Sequence, residues 1–424
     1  MSLFAHQQKI LEDDPSRCGI WLGTGGGKTR IALCLAKGRT LIVAPKTQFE
    51  DKNWQREKEK LSSLHEVDIT VISKETFRKV HHTLEAFDTL IIDEAHTVLG
   101  VSPAVVWKNR QPVPKTSQLF DSVLRYISTK RPSRFYLVTA TPDRSPFAVW
   151  GAAKLLGRDM DFDSFRREYY VRLPMPGREV WAPKRDKDTK DKLAELVRSL
   201  GYVGRLQDWF DVPEQTHRTE WFNMTPKQKE RIERLKMEFT DPLVRFGKID
   251  QVENGCLAKT DYTPAEFFPS GKIDRILDLA LEFPRLIIFA KYSTQIEAIK
   301  KALEDDGRKV LTLTGQTPNK GDVIAEANRL EECVVIAQSQ ISSGYELPEY
   351  PCTVFASLSG SLVDLVQAQG RTLRANALAK KLYIYLVTRG KADQARYEAN
   401  MNKRDFHEAI FVKSESYKHD HEYA

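Results

Sequence analysis

The stretch WLGTGGGKT, Trp21–Thr29, sets three glycines, Gly25, Gly26 and Gly27, directly before Lys28 and Thr29. A glycine-rich turn that opens a helix offers an anion its backbone N–H groups and the positive end of the helix dipole, and a lysine there suits nucleotide phosphates. The usual form of such a loop, G-x-x-x-x-G-K-[ST], would begin with a glycine at position 22, where this chain has Leu22. The context outweighs that departure, because the apolar run Gly19–Leu22 precedes the loop and the helical segment RIALCLAK follows it. Lys28 is expected to neutralise β- and γ-phosphate charge and the Thr29 hydroxyl to hold Mg2+. A second segment, DTLIIDEAH (Asp88–His96), ends an apolar run in paired carboxylates. One carboxylate at a strand's C-terminal end can hold a nucleotide's magnesium while its neighbour polarises the attacking water, so Asp93 and Glu94 fit those two roles. Alone, the segment could equally be an exposed acidic turn; behind the phosphate loop it reads as the other half of a hydrolytic site.

Positioning such residues takes strands alternating with helices, and the chain supplies them. Strand-like runs fall at Thr40–Ala44, Ile69–Ile72, Thr89–Ile92 and Phe135–Thr139, and again at Leu286–Ala290, Val310–Thr314, Cys333–Ala337, Thr353–Ala356 and Leu382–Val387. Short β-branched runs separated by helical stretches predict βαβ units and parallel sheets. Two series of runs predict two sheets, so the expected fold class is α/β with two tandem lobes. The stretch 173–217, opening LPMPGREVWAPKRDKDTKDK, is rich in proline and charge and reads as a connecting region. The expected organisation is therefore a first lobe over 1–172, a connection over 173–217, a second lobe over 218–413 and a polar tail over 414–424. Ser293 reads as the N-cap of the helix TQIEAIKKALEDD, which Gly307 would close.

Taken in order, these segments resemble the superfamily 2 helicases and translocases. LFAHQ (Leu3–Gln7) resembles the adenine-reading element, with Gln7 as the base contact. LIVAPKTQFEDKNWQRE (Leu41–Glu57) is similar to motif Ia with the downstream Asn-Trp and Glu of the Swi/Snf-like subgroup, and VTATP (Val138–Pro142) to motif III. LIIFAKY (Leu286–Tyr292) resembles motif IV. IAQSQISSGYELP (Ile336–Pro348) resembles motif V, with Gly344 at its glycine and Glu346 near the ribose. QAQGRTLR (Gln367–Arg374) resembles motif VI, written Q-x-x-G-R-x-x-R. The resemblance implies two RecA-like lobes with an ATP cleft between them, ATP and Mg2+ as cofactors, and Gln367 among the nucleotide contacts. It implies Arg371 and Arg374 as arginine fingers, and His96, Thr139 and Thr141 as the link between hydrolysis and nucleic-acid movement. It further implies contacts to a nucleic-acid backbone at Pro45, Lys46, Thr47, Ser73, Lys74, Thr314, Gly315 and Ser339. The chain departs from the group in carrying GGG where a bulkier middle residue is usual, so Gly26→Ser is expected to leave ATP binding nearly intact. Its compactness resembles the small phage and bacterial helicases that remodel forks and migrate branches.

Charge placement agrees with a polyanionic partner. Residues 1–172 hold 27 lysines and arginines against 20 acids, which accounts for the whole net charge of +7. Within residues 101–134, seven basic residues, among them Lys108, Arg110 and Lys115, face the single acid Asp121. That bias reads either as a solvated loop or as an inserted element that grips DNA. No run of 18 apolar residues occurs, the N-terminus lacks a signal peptide's apolar centre, and the five cysteines form no C-x-x-C pair. The expectation is a cytoplasmic monomer, bacterial or from a phage-infected host, not secreted and without membrane or zinc module. Its expected function is ATP-dependent movement on DNA, unwinding or remodelling forked and branched DNA in replication, recombination or repair. The alternatives are a duplex translocase that separates no strands, an RNA helicase, and an ATP-switched DNA clamp.

Overall fold

Strand segments whose every residue is apolar must be covered on both faces, and the runs LIVA, LII and FYLV are covered so. The structure, a computed structural model, describes residues 3–50, 52–61, 67–108, 111–143, 145–173, 180–184, 186–261, 263–339, 346–373 and 380–402. The chain divides into two compact units, Met1–Phe210 and Asp211–Ala424.

The first unit contains β1 (Arg17–Leu22), β2 (Arg39–Ala44), β3 (Asp68–Ser73), β4 (Thr89–Ile92), β5 (Val101–Lys108), β6 (Gln111–Thr116), β7 (Arg134–Val138), β8 (Tyr170–Leu173), β9 (Val180–Pro183) and β10 (Gly201–Gly204). Six of them form one parallel sheet in the order β10-β1-β7-β4-β2-β3. Successive residues supply opposite faces, as the pleat requires. Leu41, Val43, Leu90 and Ile92 enter one core, whereas Ile42, Ala44 and Ile91 enter the other. The second unit contains β11 (Gln215–Phe222), β12 (Cys256–Leu257), β13 (Glu266–Phe267), β14 (Arg285–Ala290), β15 (Val310–Leu313), β16 (Cys333–Gln338), β17 (Cys352–Phe355) and β18 (Lys381–Thr388). Its six-stranded parallel sheet runs β11-β18-β17-β14-β16-β15, again with a core on each face.

The stretch 173–217 is divided between the units instead of joining them as a plain connection. The helix Lys187–Leu200 buries Val197 and Leu200 in the first core, β10 extends the first sheet, and Gln215–His217 begin β11 of the second. Neither strand carries the apolar signature of its neighbours: β10 is GYVG and β11 is the largely exposed edge QTHRTEWF.

The basic stretch 101–134 is likewise several things. The antiparallel pair β5–β6 forms a hairpin, and the helix Gln118–Lys130 buries Phe120, Val123, Tyr126 and Ile127 in the core. Arg134 pairs with Asp14 through two hydrogen bonds of 2.8 Å and donates to the Tyr136 hydroxyl, so this basic residue is a structural tie. Lys115 is exposed on the hairpin; Arg110 and the Lys108 side chain lie outside the described residues. The helix near Ser293 begins one position earlier than expected: Ser293 is its first residue, Tyr292 flanks it and supplies no side-chain cap, and Gly307 follows its end at φ 79°. All five cysteines are free, four buried and Cys34 half-buried.

Gly201 pairs with Gly19 where β10 meets β1, and a Cβ built on Gly201 would overlap the Gly19 backbone. Backbone cannot swing aside as a side-chain tip would, so Gly201→Val should force the strands apart. The variant is expected to lose about 1–3 kcal/mol of stability, the usual cost of overpacking, measured as a lowered denaturant midpoint. An unchanged midpoint would contradict the close approach.

Candidate nucleotide site

Because the first sheet is parallel, every strand delivers its C-terminal loop to one edge, the place where ligands lie in open α/β sheets. The loops carrying the sequence-predicted residues all leave that edge. The glycine loop follows β1, Thr139–Thr141 follow β7, Asp93–His96 follow β4, Pro45 and Lys46 follow β2, and Lys74 follows β3. β7 lies between β1 and β4, so the glycine loop and the carboxylate pair flank the Thr139 segment.

Leu22 remains part of β1 with its side chain in the core, 1% exposed, which explains why no glycine is needed there. The turn itself needs its glycines. Gly25 and Gly27 have φ of 83° and 75°, and Gly27 caps the helix Lys28–Leu35. A Cβ on Gly27 would also overlap the amide nitrogen of Gln7. Gly26 is buried, and a Cβ there would stand 3.0 Å from Leu22 Cβ, 3.2 Å from Gly23 O and 3.3 Å from the Trp209 ring. The expectation that serine fits harmlessly at 26 therefore meets a crowded position. Lys28 Nζ donates to Leu22 O at 2.9 Å and Gly23 O at 3.1 Å, closing the loop on itself. The first N–H groups of the Lys28 helix lack intrahelical acceptors, and these donors beside an ammonium fit a polyphosphate.

Gln7, 1% exposed, accepts from Phe4 N at 3.0 Å and sits against Gly27. Its neighbour His6 was not singled out in the sequence, yet its Nε2 lies 3.1 Å from Gly26 O and its ring stacks on Trp209 at 3.9 Å. Burial lowers the His6 pKa against the smaller opposing effect of the Gly26 carbonyl. Phe210 meets Phe4 edge-on at 4.7 Å, and Gly23 N donates to Gly204 O at 2.8 Å. Residues 204–210 thus wall the phosphate loop. A proline-rich, charged surrounding hid that role.

Asp93 is buried. Its Oδ2 accepts from the indole of Trp54 at 3.1 Å and its Oδ1 from Glu94 N at 2.8 Å. Trp54 is wholly buried, and its helix Asn53–Glu59 is tied to the phosphate-loop helix by Arg30–Glu57 at 2.7 Å. Burial, followed by the charge of Glu94, raises Asp93 to about 6. For Glu94 burial acts upward too, but the His96 hydrogen bond and the charges of His96, Lys28 and Lys74 prevail and hold it at about 2. A bound cation would favour the Asp93 carboxylate form and act against its rise. Asp93 with the Thr29 hydroxyl is a hard-oxygen donor set that fits Mg2+. Glu94 itself stands at φ 44°, ψ 54°, a left-handed conformation that a residue with a Cβ adopts only at a cost. His96 Nδ1 lies 3.3 Å from Glu94 Oε2 and 3.0 Å from Thr139 Oγ1, which joins the β4 and β7 loops. Thr141 N donates to Thr139 Oγ1 at 3.2 Å.

The residues read as nucleic-acid contacts have varied surroundings. Pro45 is half-buried, Lys46 is exposed and pairs with Glu50 at 3.5 Å, and the Thr47 side chain lies outside the described residues. Ser73 caps the helix Lys74–Val80 by accepting from Thr76 N at 3.1 Å. Lys74 is turned inward: it is buried, and its ammonium donates to Glu94 O at 2.8 Å and Thr97 Oγ1 at 2.6 Å. Burial lowers its pKa to about 8 against the opposing pull of Asp93 and Glu94.

In the second unit, Thr314 and Gly315 form a turn after β15. There Thr314 N donates to Thr317 Oγ1 at 2.9 Å and Gly315 N to Gln338 Oε1 at 3.4 Å. Ser339 is buried, and its hydroxyl has no hydrogen-bond partner among the described residues. Gln367 lies in the helix Leu362–Gln369, and both it and Arg371 are buried. The Arg371 carbonyl accepts from Leu347 N at 2.9 Å, bringing Arg371 beside the exposed Glu346 within the second unit. Lys291 and Tyr292, after β14, converge with Arg396 on the buried Asp250. Gly344 and Arg374 lie outside the described residues.

A phosphate loop and a strand-end carboxylate pair on one edge of a parallel sheet are the makings of a nucleoside-triphosphate site. Residues 271–376 of the second unit match the family described as the helicase conserved C-terminal domain. A protein of Methanocaldococcus jannaschii, provisionally named an ATP-dependent RNA helicase, is 27% identical over 186 residues. That match spans 41% of this chain and only 23% of the relative's length. The crystal structure of the Pyrococcus furiosus Hef helicase domain is similar at 15% identity and a TM-score of 0.50, covering 94% of this chain and 98% of that one. At that identity the likeness establishes the fold: α/β, with two tandem RecA-like lobes.

Gly27→Ala should weaken binding of a fluorescent ATP analogue at least about tenfold, or about 1.4 kcal/mol, because both φ and the Gln7 amide oppose a side chain there. Equal affinity in a titration would show that the loop adopts another shape when it binds.

Proposed function

We propose that the chain is an ATP-dependent translocase of the superfamily 2 helicase type, acting on DNA and suited to forked or branched substrates. The observation that carries this reading is the convergence of the Gly27–Thr29 turn and the Asp93–Glu94 pair at one sheet edge, in a chain whose residues 271–376 match a helicase domain. The loop N–H groups and Lys28 hold the β- and γ-phosphates, and Gln7 reads the adenine. Gly344, Glu346 and Gln367 complete the nucleotide contacts. Thr29 and Asp93 hold Mg2+, which when bound neutralises charge on the phosphate oxygens. Glu94, kept ionised by His96 and Lys28, orients the attacking water and accepts its proton. Arg371 and Arg374 stabilise the charge that spreads over the γ-phosphoryl oxygens in the transition state. The His96–Thr139 contact offers a route by which a change at the carboxylates reaches the β7 loop and, through it, the nucleic acid. Backbone contacts from the β2 and β15 loops would follow phosphates without reading sequence.

RNA is the second reading, favoured by the name of the Methanocaldococcus jannaschii relative. Comparing ATPase stimulation and strand displacement on single-stranded, duplex, forked and four-way DNA, with RNA as control, separates the two. Greatest stimulation by forked or four-way DNA is expected; stimulation by RNA alone would replace the DNA reading. Glu94→Gln should retain ATP binding while turnover falls by about 100-fold or more, in the range of lost general-base catalysis. Rapid hydrolysis by that variant would remove Glu94 from its role. The β5–β6 hairpin is proposed as a DNA-gripping element through Lys108, Arg110 and Lys115. Replacing all three with glutamine should weaken DNA binding and make the plot of log affinity against log salt less steep. An unchanged slope would assign the hairpin another task.

A further inference from the structure

We infer that Lys74 is a positioning residue for Glu94, fixing the backbone from which that carboxylate reaches the water. The inference rests on the reading of Glu94 as the base that activates water.

Lysine is among the residues least often buried, because its ammonium is strongly hydrated, yet Lys74 is only 6% exposed. Its ammonium contacts the backbone carbonyl of Glu94 and the hydroxyl of Thr97 at 2.8 and 2.6 Å. Thr97 in turn reaches the same carbonyl twice, through Oγ1 at 3.0 Å and through its backbone N at 3.1 Å. Three donors therefore gather on one carbonyl oxygen, and that oxygen belongs to a residue held at φ 44°. A strained conformation persists only where its surroundings over-determine it, and here the surroundings supply a cation. The turn after β4 is short, so a rotation of the Glu94 peptide would carry its carboxylate away from His96, 3.3 Å distant.

The ammonium enters from a different strand. Lys74 is the first residue of the helix Lys74–Val80, which Ser73 caps at the end of β3, and in the sheet β2 separates β3 from β4. The contact thus crosses two strand positions at the carboxyl edge. A lysine that served only to fill space would tolerate replacement by methionine, which matches its length and loses the donors. In such a case turnover would be unaffected.

The test uses the full chain. Lys74→Met is expected to bind a non-hydrolysable ATP analogue within about twofold of the unaltered protein while kcat falls about tenfold or more, as misplacement of a reacting group does. Thr97→Val, at an exposed position that folding should tolerate, is expected to lower kcat about threefold through the same carbonyl, with analogue binding again preserved. Unchanged kcat in Lys74→Met overturns the inference, as does a loss of analogue binding that equals the loss of kcat. If Lys74→Met fails to fold, Thr97→Val decides, and unchanged kcat there overturns it. Failure of the underlying reading looks different: Glu94→Gln would then hydrolyse ATP as the unaltered protein does. Slow Glu94→Gln together with normal Lys74→Met overturns only the role of Lys74.

Discussion

Parallel pairing is the constraint on which the first unit depends. Strands that all run the same way must be joined by crossovers, and each crossover begins at the same edge of the sheet. That geometry gathers loops separated by as much as the distance from Gly25 to Thr141 in sequence, with no long-range side-chain recognition needed. The second sheet repeats the arrangement, so the segments after β14, β15 and β16 also leave a single edge. Fold and candidate chemistry are therefore the same fact seen at two scales.

Within that frame, buried polar contacts set the fine geometry. Asp93 is held from one side by the Trp54 indole and from the other by the next backbone N–H, so its two oxygens are oriented before any ligand arrives. The second unit uses the same device with more charge. Asp250 gathers Lys291, Tyr292 and Arg396, and Lys272 meets Asn254, Ala356 and Asp393. Such groups lose hydration on burial, and multiple partners offset that loss. In Asp250 burial would raise the pKa, but the charges of Arg396 and Lys291 prevail and lower it. Removing one member would leave the buried charge at the centre with fewer partners to offset its lost hydration.

The sequence made the central strands legible because burial on both faces demands continuous apolar runs, and RTLIVA, TLII and RLIIFA have few other uses. Lys28 and Asp93 were legible because a strand followed by their motifs has a specific chemical sense. The edge strands β10 and β11 were not, although the opposite edges, β3 and β15, were legible as Ile69–Ile72 and Val310–Thr314. β10 is placed by the close approach of two glycines, and β11 is polar because its outer side is wet; neither leaves a pattern of alternation. Side-chain direction was the other blind spot. Lys74 was read, by resemblance, as a contact to a nucleic-acid backbone, and only the third dimension turns it toward Glu94. Trp54 was visible as a motif residue, but its hydrogen bond to a residue on another strand could not be read from spacing.

The wall of residues 204–210 against the phosphate loop bears on the order in which the unit can mature. During synthesis the glycine turn emerges long before β10, and until Gly204 and Trp209 arrive it lacks a carbonyl for Gly23 N and a stacking face for His6. The nucleotide loop is thus among the first parts of the unit to be made and among the last to be finished. A nascent chain that has passed only its first five sheet strands holds the motif without its support.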